Sequence, residues 1–167
     1  MGVTPARVDA ARWRIDPLLI RSAVATDLPG LRDVFRRASL SNEGDRAFLH
    51  SRPELLDLSD EHVLAGRTHL AELGGSVVGF ATIVLGDSAA ELEDLFVDPD
   101  QWRQGIGRAL VAGVVAAARQ AGCSRVEVDA NRHALAFYLE VGFVGAEPVV
   151  LEHGTAIRMG LDLHVPG

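Results

Sequence analysis

The sequence predicts a mixed α/β domain (α+β in some schemes), a mostly antiparallel central sheet flanked by helices in the order β-α-α-β-β-β-α-β-α-β-β. Three observations lead there. Strand-like runs at 68–73, 77–85 and 91–97 are separated only by the short turns Gly74-Gly75 and Gly86-Asp87, which favours an antiparallel meander. A long apolar helix pattern at 104–121 follows the third run. The strand-like run 125–130 comes directly after that helix, so the helix is a crossover and the runs 91–97 and 125–130 are expected to be parallel neighbours.

The elements justify themselves in turn. An apolar run at 18–24 opens the order as a strand. A helix over 27–40 follows, with Thr26 as N-cap, Pro29 in the first turn and the stripe Leu28, Leu31, Phe35, Ala38 facing inward. Residues 39–53 are polar and irregular, a candidate substrate lid, and lead to a second helix at about 54–65. In the long helix Ile106, Leu110, Val114 and Ala118 recur at helical spacing. Val111, Val115 and Ala112 make its other faces apolar too, so it is expected to be buried on most sides. Gly122 closes it. Asn131 caps a short helix at 133–141, and strands at 143–151 and 156–163 complete the order through Glu152-His153-Gly154-Thr155.

With 167 residues, 48% of them hydrophobic, the chain suits a single domain at 18–167 behind an N-terminal extension at 1–17. Its one cysteine, Cys123, excludes an internal disulfide, and its six histidines show no zinc spacing; His62, His69 and His133 read as surface or capping residues. The N-terminus lacks the apolar segment of a secretory signal, Ala6 breaks a myristoylation pattern, and the longest apolar run, 109–118, is far short of a membrane span. A cytoplasmic protein is expected. A net charge of −7 argues against a nucleic-acid surface and suits a cationic substrate, whose local concentration a negative surface raises.

The most informative stretch is Arg103-Gln104-Gly105-Ile106-Gly107-Arg108, set where a strand ends at Asp98-Pro99 and the long helix begins. The first amides of a helix have no intrahelical partner and carry the positive end of its dipole, so a phosphate group is favoured there. Two other phosphate motifs fail on the letters. A P-loop needs Lys and then Ser or Thr where Arg108-Ala109 stands, and a dinucleotide fingerprint needs Gly or Ala where Leu110 stands.

The run from Val97-Asp98-Pro99 through Gly105-Ile106-Gly107-Arg108-Ala109-Leu110, followed by Asn131, Ala134, Phe137-Tyr138 and Gly142-Phe143, resembles the GNAT superfamily of N-acetyltransferases. The resemblance covers about 18–163 and departs at Trp102, where the family pattern usually has Gln or Arg. It implies acetyl-CoA as cosubstrate, with its diphosphate on the turn and helix start Arg103, Gln104, Gly105, Ile106, Gly107, Arg108 and Ala109. It also implies a pantetheine arm running beside Leu95, Phe96 and Val97, in a strand that splays from its parallel neighbour, and further contacts from Asn131, Ala134 and Phe137. A backbone N–H near Phe96 and Val97 would polarise the thioester carbonyl, and Tyr138, the only tyrosine, would serve the departing thiolate.

Glu91, Glu93 and Asp94 lie on or beside the same strand as candidates for the base. Strict alternation puts Glu93 on the face of Leu95 and Val97, opposite Asp94, and Glu93 is the preferred base. The function so implied is transfer of an acetyl group to a primary amine of a small molecule or peptide, and the alternative is a non-catalytic acyl-CoA-binding module on the same fold. A homodimer through the C-terminal strand edges is a further expectation.

Overall fold

A computed structural model describes residues 17–164; apart from Pro17, the N-terminal extension lies outside them. Seven strands form one sheet: β1 (Leu19–Ser22), β2 (Thr68–Leu73), β3 (Ser76–Leu85), β4 (Ala89–Val97), β5 (Arg125–Ala130), β6 (Val144–Leu151) and β7 (Gly154–Asp162). Their spatial order is β1-β2-β3-β4-β5-β7-β6. Only β4 and β5 run parallel; every other neighbouring pair is antiparallel. The meander and the crossover are thus as the spacing predicts. The helices are α1 (Leu28–Leu40), α2 (Glu43–Ser51), α3 (Glu61–Leu64), α4 (Ile106–Gln120) and α5 (Leu135–Glu140).

The two faces of the sheet carry separate cores. Under α4, Ile106, Leu110, Val114 and Ala118 meet Ala71, Ile83, Leu92 and Val126. On the other face α1 and α3 bring Leu31, Val34 and Val63 onto Leu70 and Phe80, with Phe96 closing the edge. Each fully buried aliphatic side chain in these layers contributes roughly 1.5–3 kcal/mol relative to exposure. One side of α4 is less buried than its letters suggest, for Ala112 faces solvent, where alanine serves as a helix former.

Three local expectations change. Thr26 does not cap α1: a 3-10 turn at Ala25–Asp27 leads into it, and Asp27 Oδ2 accepts from the Val24 amide at 2.8 Å. The stretch expected as an irregular lid holds α2, capped by Asn42, whose Oδ1 accepts from Gly44 N at 3.0 Å. The single helix expected over 54–65 is instead a 3-10 turn at Pro53–Leu56, an extended Asp57, and the one-turn α3.

Asp98, only 7% exposed, follows β4 and fixes the course of the loop into α4. Arg37 of α1 grips it as a fork, Nη1 to Oδ1 at 2.9 Å and Nη2 to Oδ2 at 2.6 Å, while the Asp100 amide donates to Oδ1 at 3.0 Å. A planar guanidinium matched to a carboxylate sets orientation as well as distance. The start of this loop is therefore tied to a helix on the opposite face.

Candidate active site

The site begins where β4 leaves β5. The two strands pair only at Ala89↔Arg125, Ala90↔Val126 and Glu91↔Glu127, whereas β5 continues to pair with β7 as far as Ala130↔Ile157. Beyond Glu91 the β5 side of β4 is an open backbone edge. Which groups face the opening is set by two hydrogen bonds. The Asp98 amide donates to Val78 O on β3 at 2.8 Å, so Phe96, two residues back, also turns its N–H to β3. The Val97 carbonyl accepts from Trp102 Nε1 at 3.0 Å on the other side, so Val97 and Leu95 present their amides to the opening. Of the expected pair, Phe96 contributes its ring to the core and Val97 its backbone to the site.

The turn before α4 takes the shape its glycines allow. Arg103 and Gly105 both have positive φ, 63° and 78°, and Gly105 is the N-cap. Ala109 N donates to Gly105 O at 3.0 Å, the first bond of the helix, so the Ala109 amide is already committed. The amides of Ile106, Gly107 and Arg108 precede that first bond and are the helix's unpartnered donors. Gly107 also makes the junction possible. A Cβ there would stand 3.2 Å from Phe137 Cε2 and Cζ and 3.8 Å from Val97 Cγ2, so the start of α4, the end of β4 and α5 converge on one point. Arg108 reaches α5 through Glu140 at 3.3 Å, and Gln104 Nε2 donates to Gln101 Oε1 at 3.1 Å.

The downstream block sits beside this junction. Asn131 Oδ1 accepts from Ala134 N at 2.9 Å, which is its capping role, and Ala134 packs on the α4-side core. Phe137, Tyr138 and Phe143 form an edge-on series with centroids 5.3 Å apart at each step. Tyr138 is 6% exposed, and burial, with a smaller addition from the Asp94 carboxylate, pushes its phenol well above the usual tyrosine value. The O–H is thus retained across physiological pH, as a hydrogen-bond donor must be.

Glu93 departs from the alternation argument. The β3–β4 register shifts between Thr82↔Asp94 and Ile83↔Leu92, so Glu93 is the extra residue of a β-bulge. A bulge breaks the two-residue period, and Glu93 joins Asp94 in lining a cavity of about 250 Å³ on the α1 and α3 side. Phe35, Phe80, Thr82, Asp57 and His62 complete much of its wall. His62 Nε2 lies 2.9 Å from Glu93 Oε2. Burial raises the Asp94 carboxyl above the ordinary aspartate range, opposed by a hydrogen bond from Thr82, with Glu93's neighbouring charge raising it further. Glu91 faces solvent on the paired part of β4.

Sequence reasoning missed His62 and Thr82; of the acidic residues Glu43, Asp45, Glu54 and Asp57, which it offered as able to attract a cation, only Asp57 lines the cavity. His62 meets a residue 31 positions away, a proximity no local pattern encodes. Trp102, where the sequence departs from the family pattern, is an exposed ring held by its indole N–H on the open edge of β4. Among the described residues no cluster of metal-ligating side chains occurs, and no helix is long and apolar enough to cross a membrane.

Comparison with known proteins bears on this arrangement. The acetyltransferase (GNAT) family model matches residues 29–143. A glucosamine 6-phosphate N-acetyltransferase of Trypanosoma brucei brucei is 29% identical over 100 residues, 54% of this chain and 68% of that protein. Among solved structures, the PaiA N-acetyltransferase of Thermoplasma acidophilum in complex with coenzyme A superposes with a TM-score of 0.69 at 18% identity, covering 87% of this chain and 99% of that one. The ribosomal-protein-S18-alanine N-acetyltransferase of Escherichia coli gives 0.65 at 25% identity, covering 90% and 97%.

Proposed function

The chain belongs to the acetyltransferase (GNAT) family, and we propose that residues 18–167 are one domain that moves the acetyl group of acetyl-CoA to a primary amine of a small molecule or peptide by direct attack on the thioester. Acetyl-CoA supplies an activated acyl group. The residues present fit it on two counts: three free amides at the start of α4 suit a diphosphate, and the unpaired β4 edge suits an extended amide-bearing arm, which would add as a strand does. Arg103, Gln104, Asn131, Ala134 and Phe137 border this path.

The single observation that carries the reading is the position of the β4 edge between two dissimilar sites. Its open backbone lies beside the turn into α4, where Trp102 Nε1 donates to Val97 O at 3.0 Å, and the bulge at Glu93 opens an acidic cavity on the other side of the sheet. A donor and an acceptor bound in these two places meet at Leu95 to Val97. There the Val97 amide faces the negative charge that develops on the carbonyl oxygen. A fixed donor of this kind is worth about 2.7–4 kcal/mol in comparable acyl-transfer sites. An amine of pKa near 10 is only about 0.1% neutral at pH 7, so it must lose a proton before attack. Glu93 takes that proton, and Tyr138 keeps an O–H for the departing thiolate.

The cavity narrows the acceptor. Its described lining holds three carboxylates, Asp57, Glu93 and Asp94, and no arginine. A cationic amine is favoured there, and the sugar phosphate named for the trypanosomal relative is not, because a phosphate would face like charge. A homodimer belongs to the same proposal: β6 is an edge strand with Val144, Val150 and Leu151 exposed.

A thiol-release screen with acetyl-CoA against mono- and diamines, amino acids, peptide N-termini and sugar phosphates tests the reading. Saturable release with cationic amines is expected. Coenzyme A binding by calorimetry with no release across the panel would replace the enzyme with a non-catalytic acyl-CoA-binding module.

A further inference from the structure

Building on the reading that the β4-bulge cavity takes the acceptor amine, we propose that His62 is a positioning residue, which holds the Glu93 carboxylate in the orientation from which it removes the acceptor's proton.

The backbone under His62 is clamped to the sheet. Helix α3 has four residues, too few to persist alone. It closes at Gly66, whose φ is +72° and whose amide donates to Val63 O at 3.0 Å. Arg67 N then donates to the carbonyl of His62 itself at 2.8 Å, and Arg67 O accepts from Ile83 N on β3 at 2.9 Å. Ile83 is the strand residue at which the bulge register shifts. Two hydrogen bonds therefore join the His62 backbone to the point in β3 opposite Glu93, while the buried Val63 pins the helix from below.

The ring is equally constrained. Nε2 is 2.9 Å from Glu93 Oε2, whereas Nδ1 is buried with no hydrogen-bond partner among the described residues. A carboxylate accepts, so Nε2 carries a hydrogen directed at Glu93. The other acidic groups around the ring are Asp94 on β4, Asp57 on the cavity wall and Glu61 on its own helix; only Glu93 is in hydrogen-bond contact with it. A glutamate in a bulge, about a third exposed, otherwise has freedom among rotamers. His62 selects one and leaves Glu93 Oε1 free for the amine. In the step itself the ammonium gives one proton to Oε1, the nitrogen keeps the electron pair for attack, and His62 retains its hydrogen throughout. The partly exposed carboxyl then returns the proton to water.

The test uses His62→Ala, His62→Gln, Glu93→Gln and the His62→Ala/Glu93→Gln double variant, assayed with an amine the wild type acetylates. A general base contributes about 10²–10⁴-fold, and losing its orientation is expected to remove about 10-fold of kcat in His62→Ala, with coenzyme A affinity by calorimetry unchanged. Gln, which can place an N–H near the position of Nε2, should recover most of the rate, and the double variant should be no slower than Glu93→Gln. Full activity in His62→Ala, no recovery with Gln, or additive losses would overturn the proposal. Long-range nitrogen spectra of the wild-type imidazole give a readout without mutation: a hydrogen on Nε2 supports it, and an Nε2 without one overturns it. A wild type that acetylates no amine would sink the acceptor site itself, an outcome distinct from an active wild type matched by His62→Ala.

Discussion

Replacing Gly107 separates stability from cofactor binding, because one added carbon acts on the two in opposite senses. In Gly107→Ala the new Cβ stands 3.2 Å from two atoms of the Phe137 ring. Carbon atoms settle at about 3.5–4.0 Å, so the ring must retreat by roughly 0.3–0.8 Å. Phe137 packs edge-on against Tyr138, and Tyr138 against Phe143, which passes the shift toward the phenol. A misplacement of about 1 Å at an active site can cost around 100-fold, so a shift of roughly 0.3–0.8 Å suggests a loss of about 4- to 40-fold in kcat/KM for acetyl-CoA. The fold should not weaken, since Ala in place of a helical Gly gains about 0.5–1 kcal/mol, which offsets the contact. Gly107→Val goes further: its branches also approach Val97, now 3.8 Å from the Cβ position, and should abolish coenzyme A binding. The assays are calorimetric titration with coenzyme A, thiol release and thermal melting. Wild-type affinity in Gly107→Val with an unchanged melting temperature would refute the convergence of α4, β4 and α5 as the cofactor junction.

Two further predictions concern titrating groups. Tyr138→Phe should lower kcat by about 100-fold while coenzyme A still binds. Because burial and then the Asp94 charge raise the phenol above its ordinary value of 10.0, the wild-type rate should show no alkaline fall from this group between about pH 8 and 10; a limb in that range absent from Tyr138→Phe would contradict the assignment. Asp27 is held by Arg21 at 2.8 Å and accepts from Val24 N, which lowers its carboxyl from 3.8 to about 2. A depressed folded-state value stabilises above the unfolded value and ceases to do so as pH falls through the folded one. The pair is partly exposed, so Asp27→Asn should cost about 1–2 kcal/mol at pH 7, with the difference vanishing between about pH 4 and 2; denaturant melts across that range check it, and a difference independent of pH would refute it.

The features legible in the sequence were those that lie close along the chain. The strands β2, β3 and β4 carry apolar runs with glycine turns between them, and α4 announces itself through Ile106, Leu110, Val114 and Ala118. The turn into α4 is readable because a helix start needs only its own residues. Helix α2 is not, because its apolar residues are confined to Ala47-Phe48-Leu49 among polar neighbours and none is fully buried; its cap and first-turn acids hold it. The break at Asp57 is invisible for the opposite reason: Leu55, Leu56 and Leu58 imitate helical spacing, yet the chain turns extended once Leu56 is buried. The cavity proposed for the acceptor depends on the bulge at Glu93, and a bulge inserts a residue without changing the strand's composition. Alternation therefore put Glu93 on the wrong face, and with it the cavity and the His62 contact stayed hidden.

If the backbone amides at the start of α4 hold the cofactor, as proposed, an amide-resolved NMR titration with coenzyme A observes them directly. Ile106, Gly107 and Arg108 are predicted to shift most, then Val97 on the opened edge of β4, with saturation at one equivalent. Shifts confined to other residues, or none at these three under conditions where calorimetry records binding, would contradict that role.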